Sequence, residues 1–91
     1  MEKIRTTVRI AGKDYTIASY DTEEYVNRVA DWVNRRMDEL GAATHLPAGQ
    51  LAVLTAVNAA DDMMKSRDEI RRLQAELDDL RRQMESAGKD E

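Results

Sequence analysis

The sequence predicts an α+β protein: a small head with a β-hairpin and an amphipathic helix, followed by a long C-terminal helix that forms a coiled-coil stalk. Three observations predict it. Apolar and polar residues alternate on either side of Ala11-Gly12-Lys13-Asp14, the mark of two half-buried strands joined by a turn. Between Asp21 and Gly41 the apolar residues return at the helical period. From Ile70 to Met84 they return in alternating steps of three and four, which is coiled-coil spacing.

A chain of 91 residues makes one domain at most, and with a stalk set aside its head has little core. Small heads need a staple. The chain has no cysteine, which excludes disulfides and thiolate zinc sites, and a lone histidine builds no metal cluster. No cofactor is expected, and oligomerisation is the expected staple. The 14 basic and 18 acidic side chains leave a net charge of −4, which disfavours binding to nucleic acid, where affinity comes from neutralised phosphates. The longest apolar stretch, Leu51 to Ala60, is broken by Thr55 and Asn58 and is too short to span a bilayer. No basic segment precedes an apolar run in the manner of a signal peptide. The expected protein is soluble and cytoplasmic, with neither nucleic acid nor membrane as a partner.

The head is expected over residues 1–46. Within it, residues 3–19 read as a hairpin. Ile4, Thr6, Val8 and Ile10 share one parity, and Tyr15 and Ile17 share the other. Glycine tolerates positive φ, so a two-residue turn at Gly12-Lys13 is predicted, with Ile10 facing Tyr15 and Val8 facing Ile17. Both apolar sets then lie on one face. The other face of the first strand carries Lys3, Arg5, Thr7 and Arg9. Residues 22–40 read as a helix, capped by Asp21 with Glu24 three residues on. Val26, Val29, Ala30, Val33, Met37 and Leu40 form its apolar stripe, and Tyr25 and Trp32 are expected in the core beside it. Gly41 is the expected residue just past the helix end, and Pro47 suits the first turn of the next helix.

The long helix is expected over 47–86, with 87–91 a frayed tail. Its first half, Leu51 to Met64, is apolar nearly all round, so Leu51, Leu54, Val57 and Met64 are expected to cover the hairpin and first helix. Its second half carries the seam Ile70, Leu73, Leu77, Leu80 and Met84. Carried back, the heptad places Met63, Ala59, Ala56 and Ala52 on the same seam. Such a stripe is stable in water when a partner covers it, most simply a second copy. With Ile70 and Leu77 at position a, Glu76 falls at g and Arg81 at the following e, which favours a parallel pair. Asp68–Arg72 and Asp78–Arg82 are expected intrahelical pairs.

No nucleophile motif, phosphate-cradling glycine loop or zinc signature is present, and adjacent Asp61 and Asp62 point in different directions on a helix. The chain therefore does not read as an enzyme. His45 is either a solvated loop residue or a partner contact. Asn58, alone in an apolar run, either bridges backbone groups of the head or fixes the register of the dimer. The cations Lys3, Arg5, Arg9 and Lys13 either form a solvated face or meet an acidic partner.

Three runs carry a family resemblance. They are Val8-Arg-Ile-Ala-Gly-Lys-Asp-Tyr-Thr-Ile17, Ala30 through Met37, and Leu51-Ala-Val-Leu-Thr-Ala-Val-Asn-Ala-Ala-Asp61. In this order they resemble ZapA, a family of small bacterial cell-division proteins that bind the tubulin-like GTPase FtsZ. The resemblance covers about residues 5–65. It implies a non-enzymatic homo-oligomer that binds FtsZ filaments, bundles them, and supports the division ring at mid-cell. The last run, which holds Asn58 and Asp61, is its most specific part; if the head meets the filament, the cations Arg5, Arg9 and Lys13 and the loop residue His45 are the expected contacts. Family dimers can pair again into tetramers through their stalks. The stalk here is short, so a dimer is the first expectation. The alternative is a generic coiled-coil homo-oligomeric adaptor that binds another helical partner through its stalk.

Overall fold

A computed structural model describes residues 2–89. Strand β1 (Ile4–Ile10) pairs antiparallel with β2 (Lys13–Ser19), and the long helices α1 (Glu23–Thr44) and α2 (Ala48–Lys89) follow. Contacts divide the chain into two units, one ending at Val57 and the other beginning at Asn58. The helix continues through 87–89, where a frayed tail was expected; residues 90 and 91 lie outside the described residues.

In the first unit, α1 lies against β1. Thr6 and Val8 on β1 are buried, and Val8 packs with Val26 and Ala30 of α1 and with half-buried Ile10. Met37, two turns further along α1 than Ala30, is buried too. The alternation of β1 thus sends Thr6, Val8 and Ile10 inward and leaves Arg5, Thr7 and Arg9 in solvent.

The hairpin register differs from the expected one. Ile10 pairs with Lys13, Val8 with Tyr15 and Thr6 with Ile17. The turn is Ala11-Gly12, with φ of 53° and 80°. Two consecutive positive φ values make a type I′ turn, whose twist matches the strands on either side. The alternation could not separate the two registers, because both leave the apolar residues on one face. Alanine in the left-handed region costs roughly 1–2 kcal/mol, so something must hold Ala11 there.

The helix boundaries also moved. Thr22 is the N-cap of α1: its hydroxyl accepts from the Tyr25 N–H at 3.1 Å. Asp21 stands one residue too early, and its own N–H donates to Ser19 Oγ at 3.2 Å. Gly41 does not end the helix. The left-handed residue is His45, at φ 56°, whose N–H donates to the Gly41 carbonyl at 3.0 Å. Gly41 is small for a different reason: a Cβ there would stand 3.2 Å from Leu51 Cδ2. Its bare backbone lets α2 approach α1. Pro47 precedes α2, and its carbonyl accepts the first bond of that helix, from the Leu51 N–H at 2.9 Å.

Several residues expected in the core are open to solvent. Tyr25 and Trp32 are 46% and 38% exposed. Val29 is exposed as well, and Arg28 and Arg36 lie over the Tyr25 and Trp32 rings. On α2, Leu51 and Leu54 are half-buried, but Val57 and Met64 are 61% and 63% exposed. Thr55 is buried and returns its hydroxyl to the Leu51 carbonyl at 2.8 Å. The helical period identifies apolar faces; it does not say which of them a single chain can cover.

Candidate interaction surfaces

The second unit is a stretch of α2 whose apolar stripe lies open. Ile70, Leu73, Leu77, Leu80 and Met84 range from 47% to 75% exposed. Of the seam residues carried back from them, Ala52, Ala56 and Met63 are exposed and Ala59 is half-buried. An apolar ridge of this length in water is a surface for association, since its burial is the available source of free energy.

Charges beside the ridge are engaged within the helix. Arg72 donates to Glu69 one turn back and to Glu76 one turn on, the latter at 2.6 Å. These bonds hold the guanidinium above its ordinary range. Asp68 pairs instead with Arg71 at 3.6 Å, and Arg82 pairs with Asp79 at 3.8 Å. The expected Asp68–Arg72 and Asp78–Arg82 pairs are therefore replaced. Arg72 has two carboxylates within a turn on either side, and those outcompete Asp68. Asp61 holds Lys65 at 2.9 Å, and this hydrogen bond raises the lysine above its ordinary range. Asn58 is half-buried, and its Oδ1 has no hydrogen-bond partner among the described residues. Counted back from Ile70, it falls at heptad position c, on the side of the helix away from the a/d seam.

In the first unit, the candidate cations do not form one patch. Arg5 and Arg9 share the solvent face of β1. Arg9 forms an ion pair with Asp14, its cross-strand neighbour, at 3.3 Å. Arg5 stands opposite Ala18. Lys3 lies over the Tyr20 ring, 5.7 Å from its centre. Lys13 pairs with Ile10, so it is on the other face. There it lines an open recess of about 250 Å³ with Ile10, Tyr15, Met37, Gly49 and Ala52. His45 is exposed at the end of α1, held by the left-handed cap. The expected continuous basic face is thus split by the hairpin register.

One polar residue was missed in the sequence. Asn34 of α1 donates through Nδ2 to the Arg9 carbonyl at 2.7 Å and accepts at Oδ1 from the Ala11 N–H at 3.1 Å. Its position could have signalled this. It falls between Ala30 and Met37 at steps of four and three, so it is an amide on the core-facing stripe. Among the described residues, no cluster of three or more His, Asp or Glu side chains could hold a metal ion, and no single helix is long and apolar enough to cross a membrane.

The sequence model of the family described as "Cell division protein ZapA" matches residues 6–89. The chain belongs to that family. The ZapA of Halalkalibacterium halodurans is 47% identical over 74 residues, covering 80% of this chain and 81% of that protein. The ZapA of Geobacillus thermodenitrificans is 41% identical over 76 residues, covering 82% and 84%. Among solved structures, a ZapA mutant dimer from Geobacillus stearothermophilus superposes with a TM-score of 0.70 at 37% identity, covering 85% of this chain and 91% of that one. The hairpin, the first helix and the long second helix are thus the ZapA fold.

Proposed function

We propose that this chain is a non-enzymatic homodimer that binds FtsZ filaments and cross-links them, supporting ring assembly at the cytoplasmic division site. One observation carries the reading: a chain matched to the ZapA family over residues 6–89 bears an uncovered apolar ridge from Ile70 to Met84. The ridge gives the chain a reason to pair, and the dimeric relative from G. stearothermophilus supports a second copy as the cover. Pairing duplicates the head. Two weak head contacts on one body hold a polymer far better than one, because the second contact forms at high effective concentration.

In this reading the ridge and Ala52, Ala56, Ala59 and Met63 belong to the dimer contact. Arg5, Arg9, Lys13 and His45 belong to the filament contact. No bond is made or broken, so the protein needs no catalytic group. The test is high-speed sedimentation of GTP-assembled FtsZ with the purified protein. The protein should enter the pellet in proportion to polymer, and substitution of Arg9, Lys13 or His45 should reduce that share without changing the oligomer. A folded dimer that stays in the supernatant contradicts the reading. Retained pelleting by the stalk on an inert head moves the contact from the head to the stalk, as the adaptor alternative requires.

A further inference from the structure

We propose that Asn34 is a positioning residue: its side-chain amide selects the hairpin register and so sets where Lys13 and Tyr15 stand. Two registers bury the same face of β1. One turns at Ala11-Gly12 and is the one present; the other turns at Gly12-Lys13 and would pair Ile10 with Tyr15. Favoured turns exist for both, since glycine can take either position of a two-residue loop.

The backbone polar groups separate them. Along a strand, alternate residues point their N–H and C=O to opposite edges, and the pair that closes a two-residue turn exchanges its backbone bonds. With Ile10 and Lys13 closing the turn, Arg9 and Ala11 aim their polar groups away from β2. Asn34 occupies that edge and bonds the Arg9 carbonyl and the Ala11 N–H together. In the other register Ala11 and Asp14 would close the turn. Arg9 and Ala11 would then face β2, and both Asn34 bonds would be lost.

Two other contacts are peculiar to this register, and both join exposed side chains, whereas Asn34 is half-buried and bonds backbone groups. Arg9 meets Asp14 and Thr7 meets Thr16 only in the present register, but both contacts lie in solvent, where such pairs are weak. Asn34 also accounts for a left-handed alanine, because one of its two bonds holds that residue's N–H.

The register itself is independent of any partner. Its consequence for binding rests on the filament-contact reading, through Lys13. The experiment is solution NMR of the full chain with cross-strand backbone contacts assigned. The parent shows Val8 opposite Tyr15. Asn34→Ala should show a second set of signals with Val8 opposite Ile17. Adding Ala11→Asn, which makes the turn Asn-Gly, should restore the single parent register. A single unchanged register in Asn34→Ala overturns the proposal. If Asn34→Ala does not fold, the double variant decides: a folded parent register supports the proposal, and failure to fold contradicts it.

In filament pelleting, equal population of the two registers halves the competent fraction, weakening each head about twofold and a two-headed attachment about fourfold. Lys13→Ala serves as the control. If it leaves pelleting unchanged, the filament-contact reading fails while the NMR result still judges the register. If Lys13→Ala weakens pelleting and Asn34→Ala with two registers does not, the link from register to binding fails.

Discussion

Shortening Leu77 to alanine should weaken self-association by an amount that its exposure sets. Leu77 is 47% exposed in the single chain. Complete burial of a leucine is worth roughly 2 kcal/mol, so about 1 kcal/mol remains to be gained when a second copy covers it. Each dimer contains two such residues, and alanine keeps a small part of the contact. The expected loss is about 1.5–2 kcal/mol per dimer, or roughly ten- to thirtyfold in the dissociation constant. Leu77→Asp should do more, because a carboxylate at the seam loses its water without gaining a partner. Asp79→Ala is the control: Asp79 pairs with Arg82 off the seam, and its loss should change association by less than about threefold. Sedimentation equilibrium over a broad concentration range reads all three. An unchanged dissociation constant for Leu77→Ala, or a parent chain that is monomeric throughout, refutes the assigned seam.

Other outcomes follow from local structure. Thr22→Ala removes the cap on the Tyr25 N–H and should cost about 1 kcal/mol by denaturant titration, whereas Asp21→Ala should cost little. His45→Gly should raise thermal stability slightly, by about 0.5 kcal/mol, because glycine takes the left-handed cap without strain; the same variant should weaken filament pelleting. Arg72→Ala removes two intrahelical ion pairs and should lower the helicity read by circular dichroism at low salt, with a smaller effect at high salt. The raised Lys65 gives a contribution that is complete below the lysine's ordinary value and fades only as pH rises through its elevated one, so helicity measured by circular dichroism should be flat from neutral to mildly alkaline pH.

Much of the fold was legible because period alone specifies it. Alternation located both strands, the helical period located α1, and the three–four spacing located the ridge on α2. The rest depended on contacts that periodicity does not encode. Parity is the same in both hairpin registers, so the choice was invisible until Asn34 was seen to hold the edge of β1. Asp21 and Thr22 are both good caps, and only the reach of the Thr22 hydroxyl to the Tyr25 N–H separates them. Gly41 looked like a stop because glycine often ends helices, but its role is to admit Leu51. Tyr25, Trp32, Val57 and Met64 looked like core because they are large and apolar. One chain leaves them in water. The candidate surfaces were legible as residue types and less so as places: the apolar stripe of α2 is exposed, while the cations divide between two faces of the hairpin.

If pairing along the ridge makes a bivalent filament binder, breaking the ridge must abolish bundling while leaving single-head binding. The most direct measurement compares low-speed with high-speed pelleting of GTP-assembled FtsZ, for the parent chain and for Leu77→Asp, with the mass of each protein measured in parallel. The parent should bring filaments down at low speed as bundles; the dissociated variant should ride single filaments down only at high speed. Equal bundling by a monomeric Leu77→Asp protein would contradict it.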